Sequence, residues 1–141
     1  MPLRKGVVSF TPDGTPGCQR LLGDLDDRDL GSLRMFRPPN NWHHYLGDHI
    51  INFRVLPLTP TTSELQTTWL VHEDAVEGVD YDVEKLTSVW VRTNDQDREL
   101  VENNQAGIAS RAYEPGPQSR EEVMIDDFHT WYFREIAQVL A

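Results

Sequence analysis

The stretch NWHHYLGDHIINFRVLPL, residues 41–58, predicts the centre of the fold. It contains two runs rich in aromatic and branched apolar residues, and the turn-forming pair Gly47-Asp48 separates them. Such a pattern is typical of two antiparallel strands joined by a tight turn. The segment PLTPTT, residues 57–62, follows with two prolines and is expected to be a loop.

Further strands are predicted on both sides of this hairpin. Downstream, apolar and polar residues alternate, and the alternation predicts a half-buried strand with one face formed by Leu65, Thr67, Trp69 and Val71. Upstream, short extended segments are expected at residues 7–10, 19–22 and 32–37. Turn-rich sequences such as TPDGTPG and RPPNN separate them.

Two helices follow the strands. The first is predicted to begin after Asp80 or Asp82, either of which can be its N-cap, and to end near Gly107. Residues 121–141 predict a second helix, whose broad apolar face is formed by Met124, Phe128, Trp131, Ile136 and Val139. This order indicates the α+β class, with an antiparallel β-sheet packed against a long C-terminal helix.

Length and composition limit the possible functions. The 141 residues suffice for one domain with a real core, and 38% hydrophobic with 26% charged residues indicates a globular chain. A formal net charge of −10 argues against a nucleic-acid partner, because phosphate binding needs a basic surface. The single cysteine, Cys18, excludes an internal disulfide. We expect a cytoplasmic protein without a membrane segment or a signal peptide.

The first helix carries a carboxylate on its predicted inward face. At about 100° per residue, one side of the helix holds the apolar residues Leu86, Trp90, Val101 and Ile108. Asp97 and Asn104 lie on this same side. A buried carboxylate is costly unless it is paired or bound to a metal. Periodicity alone leaves three interpretations open for Asp97, namely a metal ligand, a solvated residue, or the cap of a shorter helix that starts near residue 93.

The motif around Asp97 is similar to that of a known family. Asp97, Glu102, Gln105 and Gly107 form D-x4-E-x2-Q-x-G, within a run from residue 67 to residue 117. This run resembles the C-terminal end of the catalytic domain of Rieske-type, ring-hydroxylating non-haem iron oxygenases. It is most similar to the branch that acts on glycine betaine, carnitine or choline, and PLRKGVVSFTPDG and FHTWYFREI fit the same branch. The family usually has Arg where Ala106 stands.

The resemblance implies an iron site that this sequence completes only in part. Asp97 would be the catalytic carboxylate ligand of a mononuclear Fe(II), which also needs two histidines. The sequence lacks the family's NHP-like histidine signature and the two Cys-x-His halves of a [2Fe-2S] Rieske cluster. We therefore expect residues 1–141 to be the C-terminal portion of a catalytic domain with an incomplete START-like helix-grip fold. The whole subunit would use O2 and a reductase and could form a homotrimer, and the isolated chain would be inactive.

The resemblance also indicates candidate substrate-binding residues. A quaternary ammonium group binds well to aromatic faces, and a carboxylate or a cavity-lining polar group can assist. The candidates are Trp42, Asp48, His49, Trp69 and Asn104. Core packing is an alternative for both tryptophans, and turn chemistry is an alternative for Asp48. His44 and His49 could also approach each other across the hairpin and complete a triad with Asp97, but ordinary strand positions are the simpler interpretation.

Two other classes of function stay open from the sequence. A START-like sheet with a long helix can bind a small molecule without catalysis, and the acidic surface could serve an assembly or interaction role. The Asp97 motif distinguishes these possibilities from an oxygenase, because a simple carrier does not need a metal-binding carboxylate.

Overall fold

Four strands form one antiparallel sheet in the computed structural model of the chain, which describes residues 1–140. The strands are β1 (Leu33–Arg37), β2 (Asn41–Tyr45), β3 (Ile50–Thr59) and β4 (Thr62–Leu70). Their spatial order, β1-β2-β3-β4, is their order in the sequence, so short turns connect neighbouring strands. The predicted antiparallel sheet is confirmed.

The β2–β3 hairpin turns at the predicted position. Tyr45 pairs with Ile50, and the Leu46 N–H donates to the His49 carbonyl at 3.0 Å. Because paired residues share a face of a sheet, the register also determines which side chains lie together. One face carries the row His44, Ile51 and Trp69, and the next row on that face is Trp42, Phe53 and Thr67.

The proline-rich segment before β4 is not the loop that the sequence predicted. Strand β3 continues through Pro57 to Thr59 with an irregularity in between, and only residues 60 and 61 form the turn. Val55 directs its N–H towards Asn40, on the β2 side of β3. Pro57 lies two residues further on, past the last β2 partner of β3, Arg54. No strand needs an N–H from Pro57, so proline is tolerated there.

The N-terminal segment departs from the prediction more strongly. Residues 32–37 do form a strand, apart from their first residue, but residues 7–10 and 19–22 are turns and irregular chain. The Val8 N–H donates to the Gly14 carbonyl at 2.9 Å, and Gly14 has a φ of +71°. A tight loop closed by a left-handed glycine competes here with an extended strand.

Helix α1 runs from Val83 to Ile108 and ends one residue past Gly107, as predicted. Of the two candidate caps, Asp82 is the N-cap, because its Oδ1 accepts the Lys85 N–H at 2.8 Å. Asp80 instead accepts the Val76 N–H at 2.9 Å and pairs with Arg20. Its carboxylate holds the loop before the helix.

The core lies between one sheet face, α1 and the N-terminal segment. Its buried apolar side chains are Cys18, Leu46, Ile51, Phe53 and Leu86. Six polar side chains are buried as well, and Asp48 and His49 are among them. All these residues belong to the first of two compact units, Met1–Gln105. The core is small, so its polar members are expected to matter for stability.

The second compact unit comprises Ala106–Ala141. It contains a short 3₁₀ turn, Arg120–Glu122, and helix α2, Val123–Leu140. The predicted helix over residues 121–141 is confirmed, except that Ala141 lies outside the described residues. The Ser119 N–H donates to the Glu122 side chain at 2.5 Å at the start of this helical segment. In residues 1–140 no helix has the length and apolar character needed to cross a bilayer. Sheet and helices together confirm the α+β class.

The N-cap of α1 gives a first prediction. Asp82→Ala leaves the Lys85 N–H without its acceptor and should lower the free energy of unfolding by about 1 kcal/mol. Asp82→Asn keeps a capping oxygen and should remain close to wild type. Urea denaturation followed by circular dichroism measures both values. Equal stabilities of the wild type and Asp82→Ala would show that Asp82 is not the cap.

Candidate functional site

One stripe of α1 carries the contacts between this helix and the sheet. Leu86 is 3% exposed, and the Trp90 ring lies 4.9 Å from the Phe53 ring. One turn later, the Asn94 amide donates to the Thr67 hydroxyl at 2.9 Å. With 3.6 residues per turn, the same stripe continues, within about 40° of Trp90. Its later members are Asp97, Val101, Asn104 and Ile108.

Helix α1 leaves the sheet after Asn94. The helix contacts β2 and β3 through Trp90 but contacts the outermost strand, β4, through Asn94. Every residue of α1 from 95 to 108 is exposed. We call residues 95–105 the overhang, because this part of α1 extends past β4 with no described strand beneath it.

Asp97 and Asn104 lie on this overhang. The sequence predicted that Asp97 lies on the inward stripe of α1, and the helical geometry agrees. The predicted burial of Asp97 is wrong, because the sheet ends before the helix reaches this residue. A separate helix capped by Asp97 is also excluded, since α1 is continuous. The Asp97 side chain makes no hydrogen bond or ion pair with residues 1–140, whereas the Asp95 side chain pairs with Arg98 at 3.4 Å. The Asp97 carboxylate is thus free to bind a ligand.

A complete metal centre is not assembled by the described part of the chain. Within residues 1–140 there is no group of three or more His, Cys, Asp or Glu side chains placed to hold a metal ion. A site with two histidines and one carboxylate requires all three ligands on one side of the ion. Asp97 can therefore occupy one ligand position. The described residues do not supply the other two ligands beside it.

Asp48 accepts hydrogen bonds from more groups than any other carboxylate within residues 1–140. It is 3% exposed and accepts the Ser9 hydroxyl at 2.9 Å and the Gly17 N–H at 2.7 Å. The Cys18 N–H at 3.2 Å and the His49 ring at 3.0 Å complete the set. Four donors engage this carboxylate inside the chain, which favours a structural role over contact with a substrate cation.

The electrostatics of Asp48 agree with an ionised carboxylate. Burial by itself raises the pKa of Asp48. The hydrogen bond and the charge of His49 lower this pKa, as do the hydrogen bonds from Ser9 and Cys18, and together they outweigh burial. The net result is a pKa below the ordinary value of an aspartate. Asp48 is therefore negative at neutral pH and holds the N-terminal segment on the β2–β3 turn.

His49 lies beside Asp48 and is fully buried. Its Nδ1 is 3.0 Å from the Asp48 Oδ1, so the ionised carboxylate favours a proton on Nδ1. Its Nε2 is buried and has no partner within residues 1–140. His44 makes different contacts, with the rings of Phe10, Phe53 and Trp90, so the hairpin does not place these two histidines on a common partner.

An aromatic cluster covers the α1-facing side of the sheet. Trp42 stacks on Phe53 with ring centroids 5.2 Å apart and planes 9° apart. Trp90 and His44 meet edge to face at 4.8 Å. Burial, followed by the charge of Arg34, lowers the pKa of His44 to about 4, so the His44 ring is uncharged at neutral pH. Aromatic faces attract a cationic group.

Trp69 shares this face of the sheet, in the row of His44 and Ile51. It is half-buried, and its Nε1 lacks a partner within residues 1–140. Three of the four tryptophans, Trp42, Trp69 and Trp90, thus belong to one side of the sheet. The sequence predicted the first two as candidates for binding a cation, and their common face is consistent with that role and equally with core packing.

Sequence reasoning missed the contribution of the N-terminal segment. Ser9 binds Asp48 across 39 residues, and the Phe10 ring lies 6.1 Å from the Trp90 ring. Arg34 lies over the Phe10 ring at 5.9 Å. These contacts join positions far apart in the chain, and no local sequence pattern in residues 7–10 predicts them.

The four groups that donate to Asp48 lead us to predict a large loss of stability when the Asp48 side chain is truncated. Asp48→Ala removes the acceptor of four buried donors and should lower the free energy of unfolding by about 3 kcal/mol. Asp24→Ala removes an exposed carboxylate of the same N-terminal segment and should change it by less than about 0.5 kcal/mol. Urea denaturation at pH 7 compares the two variants. Similar small losses in both would contradict the assigned role of Asp48.

His44 predicts a loss of stability in mild acid. Its pKa is about 4 in the folded chain and 6.5 ordinarily, so the unfolded chain binds the proton first as the pH falls. Stability should drop between pH 7 and pH 5 by an amount on the order of 1–2 kcal/mol from this residue. His44→Gln should drop less over the same range. Parallel pH profiles of the two proteins would contradict this origin.

The chain matches known proteins over nearly its whole length. The family model of the ring hydroxylating alpha subunit, catalytic domain, matches residues 1–138. The glycine betaine monooxygenase oxygenase subunit of Chromohalobacter salexigens is 55% identical over 132 residues, which cover 93% of this chain and 30% of that protein. The proteins of that name from Pseudomonas aeruginosa strains UCBPP-PA14 and PAO1 are 51% identical over 133 residues, or 94% of this chain and 31% of theirs.

The chain thus spans about 30% of the length of these curated relatives. The match includes β1 to β4, the whole of α1 with its Asp97 motif, and nearly all of α2. The resemblance inferred from the sequence is confirmed, and the chain belongs to the family of catalytic domains of ring-hydroxylating alpha subunits.

Proposed function

We propose that this chain is the C-terminal portion of the catalytic domain of a Rieske-type oxygenase alpha subunit. The whole subunit oxidises a small quaternary ammonium compound with O2, and a reductase supplies the electrons. The family match and the two sets of relatives named as glycine betaine monooxygenase oxygenase subunits support this proposal. A START-like helix-grip, with α2 as the gripping helix, belongs to the same proposal and is supported by the antiparallel order of the strands.

The position of Asp97 carries the proposal. It lies on the stripe of α1 that contacts the sheet, it is exposed, and it is unpaired within residues 1–140. In a mononuclear Fe(II) site this carboxylate would occupy one coordination position and contribute one negative charge. Bound iron would supply the activation of O2, and the [2Fe-2S] cluster would lie outside this chain.

The other residues of the chain bind and orient in this proposal. Trp42 and Trp69 offer aromatic faces to the ammonium group, and the low pKa of His44 keeps the neighbouring imidazole uncharged. Asn104 lies two turns after Asp97 on the same stripe and can hydrogen-bond near the ligand. Asp48 and His49 support the β2–β3 turn from inside the core.

The isolated chain should have no oxygenase activity, because it offers one carboxylate where an iron site needs three ligands. The test therefore uses a chimera, in which residues 1–138 replace the matching part of the Chromohalobacter subunit. The 55% identity over this region supports a folded chimera.

In that chimera, Asp97→Ala should lower the mononuclear iron content and the glycine betaine-dependent O2 uptake at least about tenfold, as expected on loss of a first ligand. The visible absorbance of the iron–sulfur cluster should not change, because its ligands lie outside residues 1–138. Asp95→Ala is the matched control and should keep both iron and activity, since Asp95 lies about 160° around the helix from the inward stripe. Normal iron in Asp97→Ala, or equal losses in both variants, would assign the ligand to another residue.

A further inference from the structure

A single side-chain hydrogen bond joins α1 to the sheet within residues 1–140. The Asn94 amide donates it to the Thr67 hydroxyl of β4 at 2.9 Å, and both side chains are half-buried. One turn earlier, the Trp90 ring lies 4.8 Å from the His44 ring and 4.9 Å from the Phe53 ring. The sheet thus holds α1 by ring packing at Trp90 and by one hydrogen bond at Asn94.

The two partners of this hydrogen bond stand out from their surroundings. The cross-strand register places Thr67 in one row of the sheet with three aromatic residues, Phe36, Trp42 and Phe53. Asn94 lies on the stripe of α1 that faces this sheet, although Asn is a weaker helix former than Leu. Apolar packing alone would favour neither residue here, so the pair requires a more specific role.

A hydrogen bond fixes the position of a helix more narrowly than ring packing does. Apolar attraction is non-directional and follows the buried area, so it changes little when a helix slides or turns slightly. A hydrogen bond weakens steeply once its length or angle leaves the favoured range. Single polar residues in apolar helix interfaces specify register in this way. The bond between Asn94 and Thr67 can therefore select one position of α1 on β4.

Asp97 follows this hydrogen bond within one helical turn. Three residues correspond to about 4.5 Å along the helix axis, so the position of Asn94 determines that of the Asp97 backbone. Every residue of the overhang is exposed, and none of them forms a hydrogen bond or an ion pair with the described strands. A slip of α1 by one residue would move Asp97 by about 1.5 Å and turn it by about 100°. A metal-binding side chain has to stay within about 0.5 Å of its productive position.

We infer that Asn94 is a positioning residue. Its hydrogen bond to Thr67 sets the register and the rotation of α1 on the sheet, and thereby the position of the Asp97 carboxylate. The sheet itself does not depend on this bond, because its strands pair through their backbones. The inference rests on the proposed function only for the ligand that Asp97 binds, the mononuclear Fe(II). The position of the helix can be measured without that ion.

Four variants separate the hydrogen bond from the size of the side chains. Asn94→Leu and Thr67→Val keep the approximate size but remove the amide and the hydroxyl. Thr67→Ser keeps the hydroxyl and is the conservative rescue. Asp82→Ala is the control for stability, because it weakens the N-terminal end of the same helix and leaves Asn94 untouched.

The first measurement uses the 141-residue chain without metal. Residual dipolar couplings report the orientation of the overhang amides relative to those of the sheet. In Asn94→Leu and Thr67→Val, the couplings of residues 95–105 should shrink by at least about a third, because the helix then samples several orientations. The couplings of Thr67→Ser and Asp82→Ala should match those of the wild type in this segment.

The second measurement uses Fe(II) itself as the probe, in the chimera of residues 1–138 with the Chromohalobacter subunit. The Fe(II) concentration that half-fills the mononuclear site should rise at least about tenfold in Asn94→Leu and in Thr67→Val. Thr67→Ser and Asp82→Ala should stay within about twofold of the wild type. Asn94→Leu combined with Thr67→Val should lose no more than the larger single loss, since both changes remove the same bond.

Several results would overturn the inference and leave Asp97 as a ligand. One is an unchanged iron affinity in Asn94→Leu, with or without a change in the couplings. Others are equal losses in Thr67→Ser and Thr67→Val, or additive losses in the double variant, because packing would then position the helix. If Asn94→Leu does not fold, the comparison of Thr67→Val with Thr67→Ser decides.

Failure of the proposed function has a different signature. Retention of iron by Asp97→Ala in the chimera would count against Asp97 as the ligand. The couplings of the metal-free chain would still decide whether the hydrogen bond between Asn94 and Thr67 fixes α1 on the sheet.

Discussion

The Asp48 carboxylate is the interaction on which the first compact unit depends. It lies in the turn between β2 and β3. It accepts hydrogen bonds from the Ser9 hydroxyl, from the backbone N–H groups of Gly17 and Cys18, and from the His49 ring. The N-terminal segment has no strand or helix of its own, so it can stay on the sheet only through such contacts. It then supplies Phe10 to the aromatic cluster and the backbone against which Leu86 of α1 packs.

The sheet, in turn, determines where α1 can be supported. Its four strands are wide enough to lie under the helix from Leu86 to Asn94, and there the sheet ends. The exposure of Asp97 is therefore a property of the sheet width and not of the helix. Helix α1 thus keeps its stripe over its full length, but the sheet supports it over only about half of that length.

Local features were predictable from the sequence, and long-range ones were not. The turn at Gly47-Asp48, the cap at Asp82 and the end of α1 near Gly107 each depend on a few neighbouring residues. The alternation of β4 and the stripe of α1 were likewise visible as periods of two and 3.6 residues. Periodicity defines the side of a helix on which Asp97 lies but not whether anything covers that side. The loops at residues 7–10 and 19–22 depend on contacts some 30 to 60 residues away, such as that of Gln19 with Asp80.

The overhang also links metal affinity to the ordering of the chain. Residues 95–105 are all exposed, so this part of α1 should open more readily than the part from Val83 to Asn94. A ligand that binds Asp97 must hold an element that fluctuates, and part of its binding free energy is used to suppress that fluctuation. Any contact that holds this part of α1 in place would supply the rigidity in advance, so a ligand of Asp97 would be bound more tightly there than on a helix without support.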